Sequence, residues 1–232
     1  MLPNYRLAPE HTGNDMLEDL ADFWTWFNSG GVDKFLASQN VIAELDYDHV
    51  LASGESAGGY MAIQSGLTRP KGEIKAILAQ YPMTTYIRGT PDKDTPPTSI
   101  IDEHLATVQP GAVLSSALPS VAVRFLLAAA LTAYGRFNDY FGTDKHLWPI
   151  TAIEDAKYLP PTYILHGEQD AMVLAADSKE FVKKAQGIFP DAELRLDVRD
   201  GNFDHGFDVT LKEDEEEWLQ KSLKWVEERW LA

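Results

Sequence analysis

Residues 54–59 read Gly-Glu-Ser-Ala-Gly-Gly and stand between an apolar run with strand character, 49–53, and a helix-compatible stretch, 60–67. A chain that passes from strand to helix in so few residues must turn sharply at Ser56. Glycines two positions to either side, Gly54 and Gly58, are expected because bulkier neighbours would clash, and Gly59 extends the small-residue stretch. Such a turn lifts the Ser56 hydroxyl above the end of a sheet. It also aims the next backbone N–H, that of Ala57, at the place where negative charge develops on an attacked carbonyl. The bare pattern arises by chance in roughly one chain in twelve of this size. The strand before it and the helix after it favour a nucleophile elbow over a glycine-rich loop with a structural serine.

The rest of the chain repeats the same alternation. Apolar runs with strand character recur at 74–80, 162–166 and 192–198. Between them lie helical patterns. Leu17, Leu20, Trp24 and Phe27 recur at steps of three and four, with Asp15 and Glu18 set as a capping box. Asp177 and Glu180 form a second box ahead of Phe181, Val182 and Ala185. A final stripe carries Leu219, Leu223, Val226 and Trp230 behind the acidic run 213–217, which reads as a solvated helix start. Strands alternating with helices predict an α/β fold, a mostly parallel sheet with helices on both faces. Residues 84–150 break the rhythm, proline-rich at first and then apolar and helical. They are predicted to be a lid inserted into a core made of 1–83 and 151–232, with Tyr86, Phe137 and Phe141 lining a pocket.

Composition narrows the partners. The chain of 232 residues carries 20 Lys+Arg against 36 Asp+Glu, a formal charge of −16. That balance argues against nucleic acid and anionic membrane surfaces, both of which need basic patches. There is no cysteine, hence no disulfide and no thiolate metal site or nucleophile. The longest apolar stretch, Val121–Ala133, is interrupted by Arg124 and is too short to span a bilayer. No leader pattern opens the chain, so a cytoplasmic location is expected. Metal and dinucleotide motifs are lacking, and no cofactor is predicted. Oligomeric state is left open.

A serine nucleophile needs a base, and the base needs an orienting acid; after an elbow of this kind they follow in the order acid, then histidine. His205, in Asp204-His205-Gly206-Phe207, comes after the last strand and before the final helix, where the base is expected. Asp170 lies just past the 162–166 strand and is the preferred acid. Glu168 and Asp177 are its rivals, and Asp177 is better explained as a helix cap. His166 ends a strand but precedes the good acid candidates near it.

These pieces together resemble the hormone-sensitive-lipase-like branch of the α/β-hydrolases. The resemblance rests on Tyr5-Arg6-Leu7-Ala8-Pro9-Glu10, the elbow 54–59, Leu159-Pro160-Pro161 with Gly167 and Asp170, and His205-Gly206-Phe207. It implies an α/β-hydrolase fold with a lid, Ser56 as nucleophile, Asp170 as acid and His205 as base, acting on small carboxylic esters. In that family an H-G-G motif upstream of the Tyr5–Glu10 counterpart completes the oxyanion hole, and none precedes Tyr5 here. The expectation is therefore a shortened hydrolase, without the family's first strands and weakly active or inactive alone. A peptidase or amidase is the second enzyme reading, because Gly58-Gly59-Tyr60-Met61 is similar to the elbow of prolyl-oligopeptidase-like enzymes. A non-catalytic remnant or ligand-binding module is the rival from another class. Plant gibberellin receptors resemble this branch but lose the catalytic histidine, and His205 speaks against that reading.

Overall fold

The computed structural model describes residues 1–85, 91, 95, 97–115, 121–201 and 203–232. In chain order the elements are α1 (Gly13–Asn28), α2 (Gly31–Ser38), β1 (Leu51–Glu55), α3 (Ala57–Thr68), β2 (Ala76–Gln80), α4 (Thr98–Leu105), α5 (Val121–Ala133), α6 (Phe137–Phe141), α7 (Pro149–Ala152), β3 (Thr162–Gly167), α8 (Ala175–Ile188), β4 (Leu194–Arg199) and α9 (Glu217–Trp230). They group into two compact units. Met1–Leu45 with Ile87–Leu147 forms one, and Asp46–Tyr86 with Trp148–Ala232 the other.

The second unit holds the sheet, which is parallel throughout and runs in the order β1-β2-β3-β4. Side chains of a strand alternate between faces, and the helices divide accordingly. Ala76 and Leu78 of β2, with Tyr163 and Leu165 of β3, pack on one face with Val226, Trp218, Trp225 and Trp230 of α9. The opposite face meets α3 and α8: Gly66 leaves room for the Ile77 side chain, and His166 bonds to Ser178 of α8. Burial deepens from β1 to β3 and eases again at β4. Every residue of β3 is buried, whereas Ser53 and Glu55 of β1 are exposed, because among the described residues β1 pairs with β2 alone. Parallel strands deliver all their C-terminal ends to one edge, where open α/β sheets assemble their sites.

The first unit is helical. Arg6 grips α1 through Asp19 at 2.9 Å and Glu18 at 2.7 Å. Glu10, nearly buried, pairs with Arg124 of α5 at 2.9 Å and receives the N–H of Gly111 on its backbone carbonyl. Both sets of ties lie within the unit formed by residues 1–45 and 87–147. A local core of Ile101, Leu127, Ala130 and Leu131 joins α4 to α5. Phe137 and Phe141, expected to line a pocket, stack on each other with centroids 5.5 Å apart, and Phe141 is 1% exposed. They are core. Tyr86 lies outside the described residues.

Two predicted helix starts shift. α1 begins at Gly13 behind the cap Thr12, which exchanges hydrogen bonds with Asp15; Asp15 is the third helical residue and not the cap. α8 likewise begins before its expected start, leaving Asp177 buried in the first turn. No helix among the described residues is long and apolar enough to cross a membrane.

Candidate active site

Ser56 follows β1 directly and caps α3 with φ 52°, ψ −114°, a conformation that L-residues rarely adopt. Its N–H is held by Gln80 O at 2.9 Å. The turn depends on its glycines unequally. A Cβ on Gly54 would run into the backbone of Gly58, and one on Gly59 would sit 3.1 Å from Gly54 O and 3.0 Å from Pro82. A Cβ on Gly58 would meet nothing within 4 Å, so the clash expected at both flanking glycines exists only on the Gly54 side. Ala57 opens α3, and the first N–H groups of a helix have no partner within it. Its N–H therefore has no partner within α3.

Asp170 and His205 stand on the loops after β3 and β4. Asp170 is 3% exposed, and the N–H groups of Met172 and Val173 donate to its Oδ1 at 2.9 and 2.8 Å. Its Oδ2 accepts from His205 Nδ1 at 2.8 Å. A carboxylate can only accept, so His205 carries its proton on Nδ1 and turns the lone pair of Nε2 outward. That nitrogen is 3.1 Å from Ser56 Oγ. Residues 56, 170 and 205, spread over 149 positions of the chain, thus form one hydrogen-bonded row. Burial alone would raise the Asp170 pKa. The bonds from His166, His205 and the Val173 N–H outweigh it and hold the carboxyl below the usual carboxylate range.

Several contacts that hold this row were not legible beforehand. Gly167 lets the chain at Phe203 cross against it; any side chain there would strike the Phe203 carbonyl. Asp204 joins the two loops, accepting from the N–H groups of Ala171 at 3.1 Å and His205 at 2.7 Å. His166 is fully buried beneath the acid. Its Nε2 donates to Val173 O at 2.8 Å and lies 3.3 Å from Asp170 Oδ2, and its Nδ1 is 2.9 Å from Ser178 Oγ. His166, Asp170 and Ser178 include the same residue types as the first row. Ser178 is 0% exposed on the interior side of α8, however, so no substrate carbonyl reaches it. Glu168, weighed as an acid, instead pairs with Lys179 at the surface at 2.6 Å.

A parallel sheet whose C-terminal edge carries a strained serine, a buried carboxylate and a bridging histidine defines the class of α/β-hydrolases. The model of the alpha/beta hydrolase fold family matches residues 1–196, and the chain belongs to that family. Among curated relatives, a protein named "Probable carboxylesterase M8" from Phoma sp. is 28% identical over 98% of this chain and 74% of its own length. "Probable carboxylesterase clz11" from Cochliobolus lunatus is 29% identical over 74% of this chain and 84% of its own. Among solved structures, esterase 2 of Thermogutta terrifontis, phosphonylated by sarin, superposes with a TM-score of 0.54 at 18% identity. The match covers 94% of this chain and 66% of that one, and at this identity it establishes the fold.

Proposed function

We propose that the protein is a serine esterase that hydrolyses small carboxylic esters through an acyl-enzyme. Ser56 Oγ attacks the ester carbonyl while His205 Nε2 takes its proton. Asp170 keeps the imidazole in the accepting tautomer and stabilises the imidazolium that forms. The Ala57 N–H faces the developing oxyanion. His205 then returns the proton to the leaving alkoxide, and water repeats the sequence to release the acid. The observation that carries this reading is the continuous Asp170–His205–Ser56 row ending at a strained serine on a helix N-terminus. The carboxylesterase names of two relatives support the ester as substrate class. A cytoplasmic site of action, and a core of 1–83 and 151–232 with 84–150 as cap, belong to the same reading.

A fluorophosphonate probe and a short-chain p-nitrophenyl ester test it together. Labelling of Ser56 and hydrolysis are both expected, and Ser56→Ala should abolish both. A chain that binds such esters without labelling would be a binding module, and hydrolysis that survives Ser56→Ala would assign the chemistry elsewhere. Peptide p-nitroanilides in parallel separate an esterase from an amidase.

A further inference from the structure

Tyr81, the first residue after β2, lies against the His205 ring and takes no part in the proton transfer. Its φ of 35° is exceptional for a bulky aromatic residue, and strain of that kind persists only where the surroundings enforce it. The surroundings are specific. The Tyr81 N–H donates to Leu165 O of β3 at 2.7 Å, and the ring is 2% exposed. That ring lies against the His205 imidazole, centroids 4.6 Å apart and planes tilted by 57°. Its hydroxyl donates to Asp208 Oδ1 at 2.7 Å, while Gln80 Nε2 donates to Asp208 Oδ2 at 3.1 Å. Asp208 belongs to the short turn Phe207–Thr210 that follows His205 after one glycine, Gly206, at φ 76°.

The same short stretch also holds the nucleophile. Gln80 O accepts the Ser56 N–H at 2.9 Å, and the Met83 N–H reaches Ser56 O at 3.4 Å. Residues 80–83 therefore bond to the backbone of Ser56 on one side and clasp the loop and ring of His205 on the other. Building on the esterase reading, we propose that Tyr81, locked by Asp208, is the positioning residue that sets the reach and tilt of His205 Nε2 toward Ser56 Oγ. The titratable groups that face the phenol are Asp208, Glu55, His205 and, with ring centroids 6.5 Å away, His166. Burial first, and then the Asp208 carboxylate, hold the phenol above the ordinary tyrosine range, so it stays a donor wherever an esterase works.

Tyr81→Phe keeps the ring and removes the bond; Asp208→Asn weakens the same bond from the other side. Tyr163→Phe is the control, since it deletes a comparable buried hydroxyl–carboxylate bond, to Asp197 at 3.1 Å, away from the triad. With sites counted by fluorophosphonate labelling, both test variants should lower kcat per site roughly 10-fold while KM moves less than about twofold. The double variant should be no slower than the slower single one, because the two residues act as one clamp. Tyr163→Phe should lower thermal stability and leave kcat per site unchanged. Wild-type kcat in Tyr81→Phe, or an equal loss in Tyr163→Phe, would overturn the proposal. A second readout needs no turnover: the low-field proton resonance of the His205–Asp170 bond should shift in Tyr81→Phe and not in Tyr163→Phe. An inactive, unlabelled wild type would sink the esterase reading, and the resonance would still decide whether Tyr81 positions the ring.

Discussion

Both oxygens of Asp170 are engaged: backbone N–H groups hold Oδ1, and His205, with His166 Nε2 3.3 Å away, holds Oδ2. Asp170→Asn is therefore a sharp test. The N–H groups of Met172 and Val173 require an oxygen at the Oδ1 position, which turns the new amide nitrogen toward His205. The imidazole must then accept there and carry its proton on Nε2, facing Ser56, so it can no longer act as base. A loss of about 10⁴-fold in kcat is expected, with labelling of Ser56 slowed in step. The same residue links stability to pH. Its pKa is lower in the folded chain than the roughly 3.9 of an unfolded aspartate, so its contribution is complete above that value and disappears as pH falls through the folded value. Denaturant unfolding of wild type and Asp170→Asn should accordingly differ by a constant amount above about pH 5, and the gap should narrow only as pH falls below the unfolded value toward the lower folded one. At this scale the meeting of Ser56, Asp170 and His205 was legible because each is a chemically distinctive residue beside a strand end. Tyr81, His166 and Asp204 were not, because what they do depends on which loops cross, and the close approach of Phe203 to Gly167 has no signature in the order of residues.

Among the elements, the strand–turn–helix at Ser56 separates glycines that look equivalent in the text. Gly54→Ala drives a methyl group into the Gly58 backbone and should cost about 1–3 kcal/mol along with the strained serine geometry. Gly58→Ala puts its methyl in open space within a helix, where alanine is favoured over glycine by about 0.5–1 kcal/mol. Thermal melts of the two variants should move in opposite directions. All four strands fall within two residues of their expected positions, because continuous apolar runs between polar loops mark buried parallel strands well. Helix starts were harder. An aspartate three residues inside a helix and one just before it produce nearly the same spacing pattern, and at Asp15 and Asp177 the inside position is the real one. Thr12 held the missing clue, since a threonine followed three residues later by an acid is itself a box.

For the molecule as a whole, composition and alternation sufficed to anticipate the α/β layering. The ties of Arg6 to α1 and of Glu10 to Arg124 on α5 did not follow from them, because pairings across that many positions leave no spacing pattern in the chain. The sheet's gradient from a fully enclosed β3 to a half-covered β1 has a functional side. Ser56, the proposed nucleophile, follows the border strand, hydrogen-bonded to a neighbour on one flank among the described residues, while Asp170, the proposed acid, follows the most enclosed strand. Border strands open at lower free energy than central ones. Gentle warming should therefore idle the enzyme before it melts: ester turnover should fade several degrees below the midpoint seen by far-ultraviolet circular dichroism, and return on cooling. Coincident curves would mean that β1 is as firmly seated as the strands inside it.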